Sequence, residues 1–179
     1  MRTLILYYSK TGHTKKYAED IAAALKCDVL PLKKLKKKMI ADYDTIIFGS
    51  RVMGGRISKV DEFLSNYDLM AEKNVIMFAV GMSLATPESR KTLISNNLLD
   101  LYHIRFYQFR GSFDFNELSF FERFMLNNSL RMIENDPNAT ADQKTLLSIR
   151  ETPINYYDEA AVNKVISIVR KLESEVTEA

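Results

Sequence analysis

The sequence predicts an α/β fold: a doubly wound parallel sheet of five strands in the order 2-1-3-4-5, with helices on both faces. Three observations carry this. Short strand-like runs alternate with stretches of helical periodicity, and strands linked through helices need crossovers and therefore pair in parallel. The first run, Thr3–Tyr8, is apolar at nearly every position, as a central strand covered on both faces must be. The loops after strands 1, 3 and 4 are rich in glycine or hydroxyl side chains, and doubly wound sheets bind ligands at those strand ends, where the winding reverses.

Each element has its own signal. After Thr3–Tyr8, the stretch Lys15–Leu25 places Ala18, Ile21, Ala22 and Leu25 at helical spacing. Asp28–Leu32 is a short second strand. The five lysines within Lys33–Lys38 then read as a solvated connector that discourages edge pairing, or as a contact for anionic lipid or an acidic partner. Thr45–Ser50 is a third strand. Ile57–Leu69 reads as a second helix, with Ile57, Val60, Phe63 and Leu64 on one stripe. Asn74–Val80 is the fourth strand, and Pro87-Glu88 opens a third helix. Ile104–Phe113 alternates as a fifth strand, and Ala160–Leu172 closes the chain as a helix.

Composition bounds the function. The 179 residues predict one domain, 1–179, with a core of useful size. A lone cysteine, Cys27, forms no internal disulfide, and with only His13 and His103 beside it no zinc site is expected. A strand follows Met1-Arg2-Thr3 at once, so no signal peptide is expected, and a cytoplasmic location is the simplest reading. A formal charge of +2 is too small to argue for nucleic acid.

The most informative stretch is Ile5–Ile21. An apolar run stops at Ser9-Lys10-Thr11-Gly12-His13-Thr14, and a helix begins at once. The loop carries three hydroxyls and no acid. Such a loop can surround a phosphate, because hydroxyls and main-chain N–H groups donate and the helix dipole favours an anion. It lacks the spacing of a nucleoside-triphosphate loop and the three glycines of a dinucleotide fingerprint, which leaves a terminal phosphate monoester held without Mg²⁺. The plainer alternative is a strand–turn–helix junction capped by Ser9 or Thr14.

Ile5, Leu6, Tyr7, Ser9, Gly12, Thr14, Ala18 and Ile21 meet every constrained position of the flavodoxin signature, and the stretch resembles that family. The resemblance implies a flavodoxin-like fold, the family being itself the standard example of this strand order. It also implies flavin mononucleotide (FMN) as cofactor, with its phosphate on Ser9, Lys10, Thr11, Gly12, His13 and Thr14. The loop Ser50, Arg51, Val52, Met53 and Gly54 would lie along the isoalloxazine, with Met53 where many relatives place an aromatic ring. Gly81, Met82 and Ser83 would border the ring from the next loop. The family's soluble carriers are strongly acidic, and this chain is not.

Asp114–Thr152 exceeds what five strands and five helices need. Within 117–135, Leu118, Phe120, Phe121, Phe124, Met125, Leu130 and Met132 form a broad aromatic-rich face, and Thr140 starts a further short helix. Two readings stay open. The insert packs on the sheet edge and buries its aromatics, or it docks on a membrane lipid, a quinone or an apolar substrate. Phe109-Arg110-Gly111-Ser112 followed by Phe120–Met125 resembles the menaquinone-dependent protoporphyrinogen oxidase branch, in which a helical insert follows strand 5. Three functions are therefore expected to compete. The first is an FMN-binding oxidoreductase or electron-transfer protein serving a redox partner protein or quinone. The second is a menaquinone-dependent protoporphyrinogen oxidase of heme biosynthesis, with peripheral membrane contact through 117–135. The third is a non-redox interaction module of the same shape. No catalytic side chain and no metal ligand is assigned.

Overall fold

Neighbouring residues of the first strand face opposite layers: Leu4 and Leu6 pack into one apolar cluster and Ile5 into the other. That alternation, repeated along the sheet, is what two covered faces require. The computed structural model describes residues 1–177. The last two positions of the expected 1–179 domain lie outside the described residues, as do the side chains of 113, 117, 142, 176 and 177.

In chain order the elements are β1 (Thr3–Tyr8), α1 (His13–Leu25), β2 (Asp28–Pro31), β3 (Thr45–Met53), β4 (Arg56–Ile57), α2 (Val60–Leu64) and β5 (Asn74–Gly81). Then come α3 (Pro87–Asn96), β6 (Ile104–Arg110), β7 (Ser112–Phe113), α4 (Phe120–Asn135), α5 (Ala141–Thr145), β8 (Ile154–Asn155) and α6 (Glu159–Thr177). Five strands pair in parallel in the order β2-β1-β3-β5-β6. With β5 and β6 as the fourth and fifth strands of the prediction, this is the expected 2-1-3-4-5 order. Tyr17, Ala18 and Ile21 of α1 and Val162, Val165 and Val169 of α6 cover one face. Val60 and Phe63 of α2 and Leu93 of α3 cover the other.

Three expected elements differ. The helix read over Ile57–Leu69 shrinks to α2. Ile57 is buried by strand pairing, opposite Val52 in an antiparallel hairpin, so its apolar signal belongs to β4 and not to a helical stripe. The strand read over Ile104–Phe113 stops at Arg110. Gly111 donates its N–H to the Gly81 carbonyl at 2.8 Å, and Ser112–Phe113 leaves the sheet to pair antiparallel with β8. The insert leaves its aromatics in solvent: Phe120 is 89% exposed, Phe121 62% and Phe124 56%. The reading in which it buries its own aromatics is therefore corrected. Leu130 and Glu122 are the buried members of α4.

Candidate functional site

The carboxyl ends of β1, β3 and β5 meet on one edge of the sheet, because parallel strands deliver their following loops to the same side. Gly81, at the end of β5, lies against Val52 of β3 so closely that a Cβ there would meet the Val52 Cβ at 3.3 Å. Arg110, at the end of β6, reaches back and donates from Nε to the Met82 carbonyl at 3.1 Å.

The loop after β1 is shaped by Gly12. It is the N-cap of α1 at φ +88°, a left-handed conformation natural to glycine, and open space surrounds its Cβ position. Its positive φ sets the backbone conformation of the turn. Ser9 Oγ accepts the Gly12 N–H at 3.1 Å and closes the turn. No side chain caps α1, and its first turn holds no acid. The ordinary capping role for Ser9 or Thr14 is thus not what this loop does. Thr14 is buried and Thr11 half-buried at the same opening, and Lys15 and Lys16 stand in the first turn. Cations beside the positive end of a helix oppose its dipole, so the end is electrostatically complete only with an anion.

The other candidate residues are distributed as follows. His13 lines, with Lys16, Ser112 and Tyr157, a cleft of about 380 Å³ between α1 and the β7–β8 pair. Ser50 is fully buried, and its hydroxyl donates to the Ser58 carbonyl, so any ligand role there falls to its backbone. Arg51 is mostly buried and donates to the Met53 sulfur at 2.9 Å, while the Met53 side chain is half-exposed. Gly54 and Gly55 both adopt positive φ and form the hairpin turn; its tip is tied to the end of α3, where Asn96 donates to the Gly55 carbonyl at 3.3 Å. Met82 is half-buried and Ser83 exposed.

Sequence reasoning missed Glu122. This carboxylate, on the first turn of α4, receives Arg51 at 2.7 Å on one oxygen and Lys10 on the other. The second oxygen also accepts from the Ser119 N–H at 3.1 Å and its hydroxyl at 2.6 Å. Burial pushes its pKa upward, but the contacts from Lys10, Ser119 and Arg51 outweigh that and hold it well below the ordinary carboxylate range. One side chain of the insert thus joins the loop after β1 to the carboxyl end of β3. A signal existed in sequence, since Ser119-x-x-Glu122 is a capping box. Tyr17 was also missed: its buried hydroxyl donates to the Arg110 carbonyl at 2.6 Å and accepts from the Asp158 N–H at 2.7 Å, fixing α1 to β6 and α6.

The donor set suits FMN. Hydroxyls of Ser9, Thr11 and Thr14 and the uncapped amides of α1 match a phosphate monoester, and Arg51 is a cation beside the loop expected along the ring. Among the described residues no helix is long and apolar enough to cross a membrane. A search of curated proteins gives no match to this sequence. Among solved structures, the two-electron reduced flavodoxin of Megasphaera elsdenii is 19% identical, with 60% of this chain and 84% of that one covered at a TM-score of 0.46. Oxidised flavodoxin 2 of Bacillus cereus is 20% identical, with 62% and 84% covered at 0.47. The flavodoxin of Streptococcus pneumoniae TIGR4 is 17% identical, with 73% and 99% covered at 0.47. The family model described as flavodoxin domain matches residues 4–140. That match spans most of the chain, and the chain belongs to the flavodoxin family, whose cofactor is FMN.

Proposed function

We propose that this chain is an FMN-dependent oxidoreductase that passes electrons between a redox partner and an acceptor at the carboxyl edge of its sheet. The observation that carries this reading is the opening of α1, a helix end with hydroxyls, two lysines and neither cap nor acid. Bound FMN supplies the redox chemistry, and the protein supplies position and charge. Ser9, Thr11 and Thr14 would hold the phosphate with the amides of His13 and Thr14, and Lys10 would add positive potential. Arg51, Val52 and Met53 would flank the ring from β3, and Gly81, Met82 and Ser83 from β5. Arg51 would favour a negatively charged reduced ring over a neutral one. The whole chain, 1–179, would work as one domain.

Titration of the purified protein with FMN tests this. A yellow complex with quenched flavin fluorescence is expected. A protein that stays colourless at micromolar FMN would overturn the reading.

One observation favours a narrower second reading. The exposed Phe120, Phe121 and Phe124 stand on the same helix as Glu122, which touches the loop after β1 and the carboxyl end of β3. An aromatic face so placed suits an apolar acceptor such as a quinone, or a membrane surface holding one. That agrees with the resemblance of the insert to the menaquinone-dependent protoporphyrinogen oxidase branch. Turnover of protoporphyrinogen with menaquinone, lost on replacing the three phenylalanines by serine while FMN stays bound, is the expected result. Equal turnover by that variant would remove the insert from the reaction.

A further inference from the structure

We infer that Glu122 is a positioning residue that competes with the flavin for Lys10 and Arg51, so that cofactor charge and the attachment of the aromatic helix α4 are coupled. The inference rests on the FMN reading above. It begins from an imbalance. Two cations, one from the loop after β1 and one from the end of β3, converge on one carboxylate, and the cluster keeps one net positive charge. Glu122 is 8% exposed, and Arg51 is 18% exposed on its side chain, so water screens their contact only partly. Lys10 is more open, and its ammonium also lies 3.5 Å from Ser119 Oγ.

Two consequences follow. A phosphate dianion among Ser9, Thr11 and Thr14, or added charge on a ring beside Arg51, draws on the same two cations that Glu122 holds. Each anion then weakens the hold of the other, and the coupling is reciprocal by linkage. Flavin binding therefore loosens the start of α4, and loss of the carboxylate tightens flavin binding. The carboxylate also closes the capping box of α4, so the helix feels the change at its first turn. The connection runs from cofactor charge, through two side chains, to the helix that displays Phe120, Phe121 and Phe124.

The test uses the intact protein and FMN itself. Glu122→Gln removes the charge but keeps a residue that completes a capping box, so helix and fold should survive. FMN is expected to bind this variant about three- to tenfold more tightly than wild type, as removal of a carboxylate near a dianion predicts in a partly screened site. Its midpoint potential should also shift positive. In wild type, amide exchange over residues 120–125 should speed up when FMN is added, a readout that needs no variant. A merely structural Glu122 would leave the potential unmoved. Equal or weaker FMN binding by Glu122→Gln, or exchange in wild type that ignores FMN, would overturn the inference and leave the flavin reading standing. If wild type binds no FMN at all, the flavin reading itself falls, and this inference with it.

Discussion

Two helices of this protein begin in opposite ways. Helix α4 opens on a capping-box pair, with the Ser119 N–H and hydroxyl both donating to Glu122, an acid in its first turn. Helices α3 and α5 start with the same device, through Thr86 with Ser89 and Thr140 with Gln143. Helix α1 has a glycine N-cap in a left-handed conformation, no capping side chain and lysines where acids belong. Its charges even run backwards along the axis: Lys15 pairs with Glu19 and Lys16 with Asp20, the weaker orientation for such pairs. A helix start with neither the caps of α3 and α5 nor the first-turn acids of α2 and α4 is one whose missing partner comes from outside. The lesson is that the site shows itself less by what it contains than by what its first turn lacks.

The largest expected effect tests that lesson directly. Thr11→Val with Thr14→Val removes two donors to a charged group, each contributing about 1.5–3 kcal/mol, so FMN affinity should fall by a hundredfold or more. Thermal stability of the cofactor-free protein should barely change, because neither hydroxyl caps α1. Fluorescence titration and a melting curve check the two halves. Affinity within threefold of wild type would erase the distinction between the two helix starts.

The second test acts on α4. Glu122→Ala removes the acid of the capping box and leaves Lys10 and Arg51 facing each other, and the loss should be about 2 kcal/mol of stability. Chemical denaturation measures it, and hydrogen exchange should localise the loss to the start of α4. A variant as stable as wild type would show that this helix is held by Leu130 and its apolar contacts alone.

The fold was largely legible in the sequence, and the site only in part. The central strands β1, β3 and β5 came through because buried strands carry apolar runs, and β6 through its alternation. The first loop came through because three hydroxyls gather at a helix start that none of them caps. The starts of α3 and α5 were readable from Thr86-Pro87 and Thr140, where local chemistry decides. The hairpin was not, since Ile57, Val60 and Phe63 fit a helical stripe equally well, and only pairing with Val52 settles which period Ile57 obeys. Glu122 was hidden for a stronger reason. Its contact with Lys10 joins positions 112 residues apart, and no local pattern encodes that distance.

A smaller effect lies in pH. The folded-state pKa of Glu122 is lowered from its ordinary value near 4.5, so its charge stabilises the native protein above that value and ceases to do so as pH falls. The stability difference between wild type and Glu122→Gln should therefore be largest near neutrality. It should shrink, by about 1 kcal/mol or more, as pH drops below 4.5. Other carboxylates titrate in both proteins and cancel in the difference. A gap constant from pH 7 to pH 3 would mean that charge contributes nothing to the attachment of α4.

The smallest expected effect is the sharpest on the comparison, because it needs neither flavin nor a variant. Inorganic phosphate carries the group that the opening of α1 suits and none of the ring. At a few times its dissociation constant it should stabilise the cofactor-free protein by about 1 kcal/mol, a rise of roughly 2–4 °C in melting temperature for a chain of this size. Slowed amide exchange should be confined to residues 13–15, where uncapped N–H groups face the anion, with α3 and α5 unchanged because Ser89 and Gln143 already find their partners within the chain. Sodium chloride at equal ionic strength separates binding from screening. Protection spread evenly over the starts of α1, α3, α4 and α5 would show that phosphate senses net charge, and that nothing singles out the first turn of α1.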